Sequence, residues 1–174
     1  DWLLLDRARP RSSRVLDRKS LIRRRAPGTG REMQLIAANI DTAFVVTSCN
    51  QDFNVARLER YVALVFEAGI DPVILLTKAD IAEDPAPYIA AAQAISDRVP
   101  VLALDARGTE PVEALAGWCK PGRTVAFLGS SGVGKSTLTN ALLGAHAVAT
   151  QGIREDDAKG RHTTTRREIH AVPG

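Results

Sequence analysis

The sequence predicts an α/β fold, a parallel sheet with helices on both faces, preceded by a short basic β-rich segment. Three observations carry that prediction. Four short apolar runs, TAFVVTS, PVILLT, VPVLALD and RTVAFLG, alternate with segments of helical spacing from Thr42 onward. A glycine-rich stretch, GSSGVGKST at Gly129–Thr137, stands between the last of these runs and the last helical segment. Residues 1–37 instead hold two strand-like runs, DWLLLD and RKSLIRRR, with basic turns between them.

The elements follow in order. TAFVVTS reads as a buried strand. In DFNVARLERYVALVFEAG, Leu58, Tyr61, Val62 and Val65 fall on one helical face, with Asp52 or Asn54 as N-cap and Gly69 at the left-handed C′ position. PVILLT (72–77) is the second strand, and PAPYIAAAQAIS a helix opened by prolines. VPVLALD (99–105) is the third strand, TEPVEALAGW a short helix, RTVAFLG (123–129) the fourth strand and KSTLTNALLG a helix ended by Gly144. GIREDDAKGRHTTTRRE reads as a polar loop, and IHAV as the start of another strand.

Composition bounds the function classes. The chain has 174 residues, 45% hydrophobic and 25% charged, as expected of a globular domain with a sizeable core. No run approaches eighteen apolar residues, so no membrane span or membrane partner is expected, and the arginine-rich start is no secretory signal. Cys49 and Cys119 lie far apart in no metal spacing, which fits inert thiols in a reduced cytoplasm. Residues 1–31 hold ten Lys/Arg against three Asp, a local charge of +7, while the rest holds 13 against 17, a charge of −4. Such a basic block attracts phosphate backbones, or serves simply as a solvated surface.

The chemistry lies in three segments, each after an expected strand. GSSGVGKS fits G-x-x-x-x-G-K-S, in which glycines let successive backbone N–H groups curl around phosphate at a helix N-terminus. Gly129, Ser130, Ser131, Gly132, Val133, Gly134, Lys135, Ser136 and Thr137 are the expected phosphate-binding residues. Lys135 reaches the β- and γ-phosphates, and the Ser136 hydroxyl is the expected Mg²⁺ ligand. TKAD (Thr77–Asp80) supplies the base: the Asp80 carboxylate accepts from guanine N1–H and the exocyclic amine, a donor pair that adenine lacks. The methylenes of Lys78 can cover the ring face. Thr77 stands where Asn is commoner. Asp105-Ala106-Arg107 occupies the place of a Ser-Ala-Lys segment that supports the base, and the backbone role of Ala106 is what transfers.

In an ordinary GTPase the base segment follows the phosphate loop, whereas here it precedes that loop by about fifty residues. A doubly wound sheet assembles its site from loops at the strand ends, so the order does not alter the geometry. The order is that of a circularly permuted P-loop GTPase domain.

Together with the ANIDTAFVVTSCNQDFNVARLERYV segment and GRHTTT (160–165), these motifs make the chain resemble the RsgA (YjeQ) GTPases that depend on the small ribosomal subunit. The resemblance covers essentially the whole chain. It implies a bacterial, cytoplasmic, monomeric GTP hydrolase acting in late small-subunit assembly and stimulated by that subunit and its rRNA. It also implies that residues 1–37 are the tail of an OB-fold β-barrel, with residues 38–174 the permuted GTPase domain. GRHTTT becomes the first switch loop, with Thr164 a second Mg²⁺ ligand and His162 a candidate to orient water. Arg161, Arg166 and Arg167 become candidates for charge stabilisation or rRNA contact. The cofactor implied is Mg²⁺ with GTP or GDP. The family's C-terminal zinc domain has no Cys/His cluster here, so no zinc ligand is expected in this chain. The Asp-x-Pro-Gly of a second switch is likewise missing, since the terminal AVPG carries no Asp. The chain is therefore expected to be a fragment, poorly active in isolation. Two other classes compete: a non-catalytic RNA-binding module with a vestigial nucleotide site, and a P-loop ATPase or small-molecule kinase with a chance TKAD.

Overall fold

Seven-residue apolar stretches that are β-branched or leucine-rich on both faces can be satisfied only in the middle of a covered sheet. The computed structural model, which describes residues 2–25, 33–144 and 168–173, places them there. After β1 (Leu3–Leu4), β2 (Arg14–Val15), β3 (Leu21–Arg25) and β4 (Met33–Ala38), the chain enters β5 (Thr42–Ser48), every residue of which is buried. It continues through α1 (Val55–Glu67), β6 (Asp71–Thr77), α2 (Ala86–Gln93), β7 (Val101–Ala103), α3 (Glu110–Leu115), β8 (Val125–Leu128) and α4 (Lys135–Leu143). The four later strands form one parallel sheet in the order β7-β6-β5-β8.

Alternation along the strands divides the core in two. Ala43 and Val45 of β5, with Ile74 and Leu76 of β6, pack against Leu58, Val62 and Val65 of α1 and Ala92 of α2. Phe44 and Val46, with Val73 and Leu75, point the other way, against Leu115 of α3 and Leu138 and Leu142 of α4. Phe44 stacks on Phe127 at 5.3 Å and meets Trp118 edge-on at 6.0 Å. Helices thus cover both faces, as the sequence predicts. Asn54 is the N-cap of α1, its side chain accepting from the Arg57 N–H at 2.8 Å. Gly69 follows that helix at φ +69°, the left-handed stop expected of it.

The first segment is β-rich, in two separate antiparallel ladders, β1 with β2 and β3 with β4. Strand β4 escaped the sequence reading because MQLIAA lacks β-branched alternation; it is specified by its partner β3. Fully buried Ile22 ties that hairpin into the α1 side of the core. One expectation fails: residues 169–172 form no strand. Ile169 is 94% exposed, so the apolar pair that suggested a strand has no sheet face to cover. Among the described residues, no helix is long and apolar enough to cross a membrane. Cys49 and Cys119 are free thiols, and burial pushes both pKa values up.

Strand β8 is registered against β5 at its start by Asp41. That carboxylate accepts from the Thr124 N–H at 2.8 Å and from Arg123 at 3.2 Å. The backbone bond, opposed by partial burial and aided by Arg123, holds Asp41 below its ordinary pKa of 3.8. A carboxylate with a depressed folded pKa stabilises above its unfolded pKa and loses that contribution as pH falls through the folded value. Asp41→Ala should therefore cost about 1–2 kcal/mol at neutral pH. In urea titrations the gap from wild type should close below about pH 4; a gap constant down to pH 2 would refute the assignment.

Candidate functional site

Because β5, β6, β7 and β8 are parallel, the segments after them emerge at one end of the sheet, where open α/β sheets hold ligands. Three of these are the segments singled out in the sequence. TKAD begins on the last residue of β6, Asp105-Ala106-Arg107 follows β7, and Gly129–Lys135 joins β8 to α4.

The glycines of the last segment are demanded by its path. Gly129 lies at φ +150°, and a Cβ there would stand 2.2 Å from the carbonyl oxygen of Val46, inside the backbone of β5. Gly134, at φ +96°, is the N-cap of α4. A Cβ on Gly134 would already touch Thr77 at 3.5 Å and Ala106 at 3.6 Å. One backbone position therefore brings the three segments together.

A hydrogen bond reinforces that contact. Thr77 is fully buried, and its hydroxyl lies 2.7 Å from the Val133 carbonyl and 3.1 Å from the Thr47 carbonyl, with one proton to donate between them. The Thr77 carbonyl in turn accepts from the Cys49 N–H at 2.9 Å. The sequence reading saw Thr77 only as a replacement for Asn; in the fold its hydroxyl moors the loop after β8 to the end of β6. Val133, wholly buried beneath the loop, packs among Phe44, Val46, Leu115 and Leu138.

Lys135 is half-buried, and its ammonium donates to the Gly129 carbonyl at 3.0 Å and to the Ser130 carbonyl. Burial lowers its pKa below the ordinary value, and the two carbonyls compensate for lost water. Ser136 and Thr137 lie half-buried in the first turn of α4. Ser130 is half-buried, whereas Ser131 and Gly132 are exposed at the tip of the loop.

Lys78 adopts φ +59°, a left-handed conformation uncommon for a side chain with a Cβ, and so turns the chain sharply off β6. Beyond it, Asp80 is exposed to solvent yet not alone. Nη2 of Arg107 donates to Asp80 Oδ2 at 2.6 Å. Sequence reasoning treated Arg107 only as a departure from an expected Lys. The pair spans 27 residues, so no local pattern announces it. His162 and Thr164, like the rest of GRHTTT, lie outside the described residues.

The arrangement offers a loop of backbone N–H groups with a buried lysine at a helix N-terminus, and a carboxylate at the end of a strand two places away in the sheet. It suits a ligand with phosphates at one end and a hydrogen-bonding base at the other.

Comparison with known proteins agrees with this arrangement. Residues 15–174 match the family model described as RsgA GTPase. The chain is 54% identical over 177 residues to the small ribosomal subunit biogenesis GTPase RsgA of Mesorhizobium japonicum, covering all of this chain and 51% of that protein. It is 51% identical over 173 residues to RsgA 2 of Vibrio vulnificus, covering 99% of this chain and 49% of the relative. The chain thus spans about half the length of the curated relatives it matches. Among solved structures, YjeQ from Thermotoga maritima superposes with a TM-score of 0.58 at 24% identity, over 74% of this chain and 43% of that one, a likeness of fold.

The mooring bond can be tested without altering volume. Thr77→Val should lose about 1–3 kcal/mol in urea unfolding, because the Val133 carbonyl keeps its burial and loses a donor. Thr77→Ser should recover most of it, and equal losses in the two variants would mean that the hydroxyl is idle. Gly129→Ala should be worse than either, since its Cβ meets backbone that cannot step aside.

Proposed function

The chain belongs to the RsgA GTPase family, and from that premise we propose that it binds guanine nucleotides, hydrolyses GTP and acts in small ribosomal subunit biogenesis. The observation that best supports the reading is the meeting of Gly134 with Thr77 and Ala106, which gives phosphate and base segments a common centre.

In this reading the backbone amides of residues 130–137 and Lys135 hold the phosphates, and Asp80 accepts from guanine N1–H and its amine. The stem of Lys78 lies along the ring, and Ala106 supports the base through its backbone. Ser136 is a hard oxygen donor at the N-terminus of α4, suited in kind and place to Mg²⁺, with Thr164 as the second protein ligand. When bound, Mg²⁺ neutralises charge on the β- and γ-phosphate oxygens. The protein's own contribution is positional: Lys135 is already desolvated and oriented, and the loop cannot drift because Thr77 and Val46 fix it from below. Water attacks the γ-phosphorus in line, with His162 the candidate to orient it.

The basic residues 1–31 suit rRNA, and we assign residues 1–37 to the closing strands of an OB-fold. Docking on the small subunit in the cytoplasm orders the switch loop and raises turnover. The zinc domain known from the resemblance has no ligands in this chain.

GDP should raise the melting temperature of the protein while ADP leaves it unchanged; equal shifts would reject the guanine assignment. Asp80→Asn should weaken GDP binding at least about tenfold, since two hydrogen bonds to a charged acceptor are compromised, and should narrow the gap between GDP and ADP. Hydrolysis of GTP by the full-length protein, assayed with and without small ribosomal subunits, tests the activity itself. A rate unaffected by the subunits would remove the proposed coupling.

A further inference from the structure

The carboxylate assigned to the base is already engaged. Nη2 of Arg107 reaches Asp80 Oδ2 at 2.6 Å from the loop after β7, the loop that also carries Ala106. The guanidinium is held from behind by its own turn. The Arg107 backbone N–H donates to Asp105 Oδ1 at 2.9 Å, and Nε donates to the same oxygen at 3.2 Å. The Asp105 N–H is itself anchored on Glu110 Oε2 at 3.1 Å. Arg107 is thus a short lever, fixed at Asp105 and Glu110, whose tip lands on Asp80.

What that tip presents is chemically close to what guanine presents. The N1–C2–N2 edge of guanine is a planar guanidine fragment, with N–H donors aimed at both oxygens of a carboxylate. A side-chain guanidinium is the same fork with a positive charge. Both claim Oδ2, and a base using both oxygens cannot share that oxygen's in-plane direction with Arg107. Adenine, with an acceptor at N1, carries no such fork.

Resting on the guanine reading above, we propose that Arg107 is a built-in mimic of the base, which occupies Asp80 and must be displaced before a guanine nucleotide can engage that carboxylate. The latch lowers guanine affinity below what Asp80 alone would give. It also supplies a replacement donor as the base departs, which speeds nucleotide release. The contact is partly solvated, with the Arg107 side chain 65% exposed and Asp80 27%, so its strength is modest and falls with ionic strength.

The test is GDP affinity, measured calorimetrically on full-length wild type, Arg107→Ala and Arg107→Lys at low and high NaCl, with ADP as control. Arg107→Ala should bind GDP about two- to fivefold tighter than wild type at low salt, with the advantage shrinking at high salt. Arg107→Lys, a point charge without the planar fork, should fall between them. Equal or weaker binding by Arg107→Ala at low salt would overturn the latch, since it would make Arg107 neutral or a supporter of Asp80. A wild type that fails to prefer GDP over ADP would instead defeat the guanine reading, and the latch with it.

Discussion

A single threonine hydroxyl, buried at the end of β6, joins two segments that the chain keeps 56 residues apart. Its proton reaches the Val133 or Thr47 carbonyl, its backbone carbonyl takes the Cys49 N–H, and its methyl supports Gly134. The consequences run outward from there. The glycine-rich loop can be tight and rich in left-handed residues because its underside is fixed by β5 and β6 and does not depend on its own packing. Lys135 can be partly desolvated because the carbonyls facing it belong to a loop that cannot move away. A strained segment persists where its surroundings over-determine it, and here they do.

The order of segments along the chain matters little to such a site. All four parallel strands open toward the same end, and β6 and β8 flank β5. What must be conserved in space is the ring of strand ends, and any loop at the opposite end can be the one where the chain is opened. Circular permutation is then a change of connectivity that leaves the hydrogen bonds across the sheet intact. The basic hairpin β3–β4 enters the same body through Ile22, so the phosphate-attracting segment is attached to the α1 face and not merely strung before it.

Much of this was legible in the residues. TAFVVTS and PVILLT read as covered strands because apolar side chains occur at both parities. The α1 face was readable from Leu58, Val62 and Val65, and its ends from Asn54 and Gly69, because capping and periodicity are local properties. Local signals also misled. IHAV has the composition of a strand but no edge to pair with, and MQLIAA has an edge but not the composition. Strands are completed by partners, and a partner cannot be read from the strand alone.

The candidate site divides along the same line. The sequence by itself determined the phosphate loop, because a helix N-terminus approached through glycines is specified by contiguous residues. It also named TKAD and Asp105-Ala106-Arg107 as partners for that loop. Only the tertiary structure decided that Thr77 moors the loop, that Gly134 is wedged between Thr77 and Ala106, and that Arg107 sits on Asp80. Each of these is a contact between residues far apart in the chain, and a side chain's partner is chosen by the sheet order that brings strand ends side by side, a choice made by the whole core at once.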